Sequence, residues 1–130
     1  MLCVLQVEGS NLENAISKHF AASFYRKDVS KDGRDVLFYD VADASNRSAL
    51  SLHIRQFIDQ NRTALAHALQ RPENVEAMNL DIGIVMDGPL SKSIILDRAL
   101  VAELGRYGIS VSVSAYQGEI VLSDDGLGGP

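Results

Sequence analysis

The sequence predicts a single-domain α+β fold with a mixed, mostly antiparallel sheet whose helices lie largely on one face. Near both ends of the chain, apolar residues alternate with polar ones, as in half-buried strands. Between these ends, apolar residues recur at helical spacing. The length of 130 residues fits one domain that can bury a core without a metal or a disulfide. The predicted element order is roughly β-α-β-β-α-β-β-α-β over residues 1–122, and residues 123–130 are expected to be a disordered tail.

The first predicted strand covers residues 2–8, where apolar side chains occupy alternate positions. Ser10 and Glu13 have the spacing of a capping box, in which each side chain satisfies a free backbone N–H of a helix start. Asn11 is the alternative cap. Helical spacing of the apolar residues that follow predicts a helix to about residue 21.

A hairpin is predicted over residues 24–41. Its arms are Phe24–Ser30 and Asp35–Val41, joined by a two-residue turn at Asp32-Gly33 in which the glycine takes a positive φ. The arms alternate poorly. The sequence therefore indicates either that both faces of the hairpin are partly covered or that a bulge shifts one arm.

One apolar stripe with a period near 3.6 predicts helix over residues 45–71. Asn61 interrupts this stripe and is a candidate start for a second helix. Residues 73–79 are expected to be a linker, and alternation predicts the next strand at 80–86. A short strand at 93–96 is also expected.

Asp97 is a good N-cap for a short helix, and Gly108 fits the left-handed position after its C-terminus. The last strand is predicted over 109–115, with its valines facing the core and its serines facing water or a partner. Residues 119–122 could add a further strand, and the sequence leaves this open.

The polar face of the last strand is the main candidate for partner binding. Small polar side chains leave a flat sheet face that loses water easily, and tyrosine is enriched at interfaces. The alternative is that this face is simply wet. The candidate partner-binding residues are Ser110, Ser112, Ser114 and Tyr116.

A weaker candidate is a ligand pocket between hairpin and helices, with His53 and Tyr39 as its polar groups. His19 is interpreted as a boundary histidine bonded to a backbone carbonyl. His53 and His67 lie about four turns apart, roughly 20 Å along a continuous helix, and could not share a metal. No metal site, cofactor or catalytic residue is predicted, since no sequence motif for one is present.

Composition excludes several classes of partner. The net charge of −5 argues against nucleic-acid binding, which needs a basic face. The apolar runs are far shorter than the ~20 residues that cross a bilayer. Cys3 is the only cysteine, and the N-terminal residues have no basic region typical of a signal peptide. We expect a cytoplasmic protein that contacts neither nucleic acid nor membrane.

The two ends of the chain resemble the bacterial domain-of-unknown-function family 4279. The resemblance lies in segment 5–13 (LQVEGSNLE), in segment 80–84 (LDIGI), and in the stretch 100–116 with its corner at 104–108 (LGRYG). It implies a strand followed by a helix at the start and a helix followed by a strand ending in tyrosine later. It implies no activity.

These observations favour a non-catalytic protein-interaction module, of the immunity type or an accessory protein. The second hypothesis is a homodimer with a structural or regulatory role, formed through the same sheet face. The third is a small-ligand binder or enzyme that uses the pocket near the hairpin.

Overall fold

The computed structural model describes residues 2–43, 47–86, 88 and 92–117, and it confirms the α+β class. The strands are β1 (Leu2–Gly9), β2 (Arg26–Val29), β3 (Asp35–Asp43), β4 (Val75–Met86) and β5 (Ile109–Gln117). The α-helices are α1 (Leu12–Ala15), α2 (Leu50–Gln60), α3 (Arg62–Leu69) and α4 (Arg98–Arg106), with 3₁₀ turns at Ser17–His19 and Arg47–Ala49. The possible strand at 119–122 and the predicted tail at 123–130 lie outside the described residues.

The five strands form one sheet in the order β2-β3-β1-β4-β5. Strand β1 is central and antiparallel to both β3 and β4, while β2 pairs with β3 as a hairpin arm. Only β4 and β5 run parallel. A parallel pair needs a crossover connection, which α4 provides here.

The core lies between one face of the sheet and the helices. In β1 the alternation is as predicted: Cys3, Leu5 and Val7 are fully buried, while their neighbours are partly exposed. The helices contribute a buried apolar stripe to the same core. Its main members are Leu50, Ile54, Phe57, Ile58, Leu65, Leu100 and Leu104. The opposite side of the sheet, which we call the open face, carries the partly exposed set.

The predicted helix to residue 21 is wrong. Asn11 precedes α1 in a left-handed conformation with φ 54°, and neither it nor Ser10 forms a side-chain cap. After one α-helical turn the chain forms a 3₁₀ turn and then becomes extended at Phe20. This change of backbone brings the Phe20 ring onto Tyr39 of β3, with ring centroids 4.0 Å apart. Core packing therefore ends the helix earlier than the apolar spacing indicates.

The hairpin is confirmed, but its turn is longer than predicted. Residues 30–34 form the loop, closed by a hydrogen bond from Ser30 N–H to the Arg34 carbonyl at 2.8 Å. Gly33 has φ 85°, a positive value as expected. Strand β3 has a bulge at Val41, but it lies in the pairing with β1 and does not shift the two hairpin arms against each other. The β2–β3 pairing itself is regular.

The predicted linker at 73–79 is largely strand, because β4 already begins at Val75. These residues pair with the second half of β1, from Gly9 opposite Val75 to Gln6 opposite Asn79. Their own alternation is weak, and the hydrogen bonds of β1 make them a strand. The short strand expected at 93–96 is absent, since residues 92–97 pair with no strand among the described residues.

Asn61 separates α2 from α3, as the sequence indicated. It is also a buried polar residue whose side chain forms two hydrogen bonds. Its side chain is 2% exposed. The Oδ1 atom accepts a hydrogen bond from the Ala21 backbone N–H at 2.7 Å, and Nδ2 donates to the Phe57 carbonyl at 2.8 Å. The bond with Ala21 holds the helix junction against the segment that follows α1, and the bond to Phe57 of α2 fixes the orientation of the Asn61 amide.

We expect Asn61→Ala to lower the free energy of unfolding by about 1–3 kcal/mol, because it leaves the part-buried Ala21 N–H without its acceptor, while the Phe57 carbonyl still accepts from the N–H of residue 61. Urea denaturation followed by circular dichroism measures this. Asn14→Ala is the matched control, since the Asn14 amide is exposed and bonds only to Asn11 among the described side chains. Equal losses in the two variants would contradict the role assigned to Asn61.

Candidate functional site

Strand β5, which carries the candidate partner-binding residues, lies at the edge of the sheet. It pairs in parallel with β4, from Ile109 opposite Met78 to Gln117 opposite Met86. No described residue pairs with its other edge. Alternate residues of this nine-residue strand thus direct their backbone N–H and C=O groups away from the sheet.

The serines of β5 project from the open face, and two of them are hydrogen-bonded to β4. Ser110 Oγ lies 3.0 Å from Asn79 Oδ1, and Asn79 Nδ2 donates to Ser112 Oγ at 2.9 Å. Ser112 Oγ donates to Asp81 Oδ1 at 3.1 Å. This ladder of side chains fastens β5 to β4. A pattern of alternating serines could not reveal it, because the partners lie about 31 to 33 positions away.

The other two candidate residues lie at the end of the row. Ser114 is opposite Gly83, and Tyr116 leans across the same glycine. A Cβ atom added to Gly83 would stand 3.2 Å from Tyr116 Cε2. Because Gly83 has no side chain, the Tyr116 ring can lie close to the sheet and cover the glycine. Tyr116 nevertheless remains 56% exposed.

The prediction that the valines of β5 face the core is wrong. Val111 and Val113 lie opposite Leu80 and Ile82 of β4, which are buried. Yet Val111 is 40% and Val113 is 54% exposed. The cover that the helices give to β4 does not extend across β5, so only Ile109 of this strand is buried. Strand β5 consequently exposes side chains on both of its faces.

The opposite edge of the sheet differs in length and charge. Strand β2 has four residues, Arg26 to Val29. Arg26 pairs with Asp28, and Lys27 pairs with Glu13 of α1. Short, charged edge strands are a common protection against pairing with other chains. Strand β5 is long and carries no charged residue.

The two candidate ligand-binding residues occupy different environments. Tyr39 is 1% exposed and belongs to an aromatic cluster, stacked on Phe20 and edge-on to Phe24 at 6.3 Å. Burial raises the pKa of its phenol above the ordinary value. His53 lies on α2 and is partly exposed. Tyr39 Oη and His53 Nδ1 are both buried without a hydrogen-bond partner in the described part of the chain.

A shallow depression of about 280 Å³ lies on the open face, at the end away from the serines. Its lining combines apolar side chains with two carboxylates: Leu2, Val4, Tyr25, Asp40 and Asp43. Asp40 and Asp81 flank Val4 on the neighbouring strands. The sequence did not indicate this juxtaposition, because three separate strands build it.

The structure also brings together two histidines that the sequence analysis treated separately. The ring centroids of His19 and His67 are 4.0 Å apart. The described residues contain no group of three or more His, Cys, Asp or Glu side chains that could hold a metal ion. Within the same residues, no helix is long and apolar enough to cross a membrane.

Comparison of the chain with protein-family models, curated proteins and solved structures gives no match. The resemblance to family 4279 stays a prediction. Function must be argued from the surfaces of this molecule.

Cys3 provides a chemical test of the buried centre of the sheet. Burial, together with the nearby carboxylates of Asp81 and Asp40, raises the pKa of the Cys3 thiol to about 12. At pH 8 only about one thiol in ten thousand is then ionised, and the thiolate is the reactive form. We expect Cys3 to react very slowly with a disulfide reagent in the native protein and rapidly in urea. A native reaction as fast as that of the unfolded chain would contradict this placement.

Proposed function

We propose that this protein acts as a protein-binding module and that β5 is the strand that receives its partner. The observation that carries the proposal is the character of this edge: nine residues long, uncharged, and exposed on both side-chain faces. A strand from another chain can add to such an edge. The backbone hydrogen bonds would supply affinity, and alternate side chains would supply specificity.

Charge distribution supports this choice of edge. The molecule carries a net charge of −5, which opposes the approach of another acidic protein over most of the surface. Residues 109–117 contain no acidic or basic side chain. The short charged edge at β2 offers no such neutral approach.

The occupant that fits this edge best is a second copy of the chain. Antiparallel pairing about a two-fold axis at Val113 would set Val113 against its own counterpart. Ser112 would lie opposite Ser114 of the second copy. Directly opposite residues share a face, so Ser112 and Ser114 would continue the serine row, Val113 would lie beside its own counterpart, and Val111 would lie beside Ala115 of the second copy. The strand is therefore self-complementary, as a two-fold interface requires.

Such a pair would also remove the exposure that β5 has in the single chain. Val111 and Val113 would gain apolar neighbours from the second copy, and the edge backbone groups that no described residue pairs would complete their hydrogen bonds. Tyr116 would sit at the boundary of the new contact, a position where its apolar ring and polar hydroxyl are both useful. The serine row would then contribute a flat, closely fitting surface.

The compartment we propose is the cytoplasm. The lone thiol at Cys3 is buried in the sheet, and an unpaired cysteine suits a reducing environment.

Light scattering after size-exclusion chromatography tests the second copy as occupant. We expect the wild type to approach twice the 14.1 kDa chain mass as concentration rises from the micromolar to the millimolar range. Val113→Lys should weaken the dimer by about tenfold or more, because it places a charge against its own symmetry mate at the pair axis.

Val29→Lys is the matched control. Val29 is an equally exposed valine, 62% accessible, on the opposite edge strand β2. The Val29→Lys substitution should leave the dimer unchanged. A wild type that stays monomeric at every concentration would rule out the second copy. Proteins retained by the wild type and lost by Val113→Lys would then identify a foreign strand as the occupant.

A further inference from the structure

A groove with a volume of about 320 Å³ lies between the first helical segment and the end of α3. His19 from the 3₁₀ turn and His67 from α3 meet there, with their rings tilted by 42°. Arg71 Nε donates a hydrogen bond to His67 Nε2 at 2.6 Å. Lys18 completes a set of four basic side chains along the lining.

This set has no compensating carboxylate. Among the described residues, neither Lys18 nor Arg71 forms an ion pair. Several arginines elsewhere are paired, among them Arg34 with Glu8, Arg55 with Asp97 and Arg62 with Asp59. In this acidic protein, two permanent cations thus lie together in one groove without a carboxylate partner among the described residues.

The hydrogen bond within the groove determines which donors remain available. Because His67 Nε2 accepts from Arg71, the neutral imidazole carries its hydrogen on Nδ1. The bond uses the Nε–H of Arg71 and leaves its Nη groups as donors. Guanidinium Nη groups form a planar fork that fits two oxygens of a tetrahedral oxyanion. Lys18 adds a mobile ammonium.

We propose that this groove binds a tetrahedral oxyanion, such as a phosphoryl group, through Arg71 and Lys18 with the paired histidines beside it. This binding site is independent of β5 and of the partner it receives. It differs from a metal site, because the groove supplies positive charge and hydrogen-bond donors.

The proposal implies that binding strengthens as pH falls. The groups that face His67 are Arg71, His19 and Lys18, with the neutral Asn14 amide also lining the groove. Burial first, and then the charges of Arg71, His19 and Lys18, lowers the pKa of His67. A bound anion favours the charged imidazole and raises that pKa again. The proton enters at Nε2, so His67 then stops accepting from Arg71, and the Nε–H of Arg71 becomes a further donor for the anion. Binding therefore takes up a proton, and affinity should rise as pH drops through the range in which His67 titrates.

The competing interpretation is purely structural. Lys18, His19 and His67 lie in the last turns of their helices, where cations interact favourably with free carbonyl groups. In that case the cluster would stabilise helix ends and bind no ligand. Affinity measurements distinguish anion binding from a role limited to stabilising the helix ends.

The test is titration of the full chain with sulfate and with inorganic phosphate, followed by NMR of the histidine rings and by calorimetry. Sulfate does not titrate between pH 6 and pH 8, so its pH dependence reports the protein. We expect shifts of the His19 and His67 ring signals and tighter sulfate binding at pH 6 than at pH 8. Arg71→Gln should weaken binding by about tenfold or more, as expected for loss of a charged hydrogen-bond donor.

Arg98→Gln is the matched control, since it removes the same charge from the exposed first residue of α4. It should leave affinity unchanged. Equal weakening by both variants would mean attraction by net charge alone and would overturn the site. Absence of histidine shifts at tens of millimolar sulfate and phosphate would overturn it too. O-phosphoserine, titrated in parallel, separates a free anion from a phosphoryl group on a larger ligand, which should bind more tightly.

Discussion

Strand β1 is hydrogen-bonded along both edges and buried on one face, and the other elements are arranged around it. Its end is fixed by a close backbone contact. A Cβ on Gly9 would stand 1.8 Å from the carbonyl oxygen of Asn74, so only glycine fits there. Ser10 and Asn74 then exchange two hydrogen bonds, of 2.8 and 3.0 Å. This contact fixes where the chain leaves β1 and where β4 begins, and an extra residue at Glu76 separates it from the regular pairing that starts at Glu8 and Ala77.

A sheet with helices on one face leaves two kinds of surface, and both bear on function. The open face carries the serine ladder and the carboxylates beside Val4. The edge at β5 is exposed because the cover of the helices stops over β4, so Val111 and Val113 lack the packing that Leu80 and Ile82 receive. The same limited helix layer that suffices for the core thus produces the surface on which the proposed interaction depends.

The groove at His19 and His67 arises from a different part of the fold. It forms where α1 with its 3₁₀ turn meets the C-terminal end of α3, and Asn61 holds these elements together through the backbone N–H of Ala21. Interaction at β5 and anion binding in the groove would therefore use separate elements of one rigid core. Arg34 and Arg55 are paired with acids, whereas Arg71 has no carboxylate partner in the part of the chain that the structure describes and lies beside Lys18 in the groove.

Local patterns in the sequence determined the features that depend on a few neighbouring residues. Short-range rules account for the alternation of β1, the break at Asn61, the positive φ of Gly33 and the cap at Asp97. The Asp97 side chain accepts a hydrogen bond from the Leu100 N–H. Only tertiary structure decided that β5 is exposed on both faces beyond Ile109, because alternation separates two faces without saying what packs on either. Likewise β1 made residues 75–79 a strand by supplying hydrogen-bond partners. Packing also brought His19 to His67, since no local pattern encodes contacts between residues 48 positions apart.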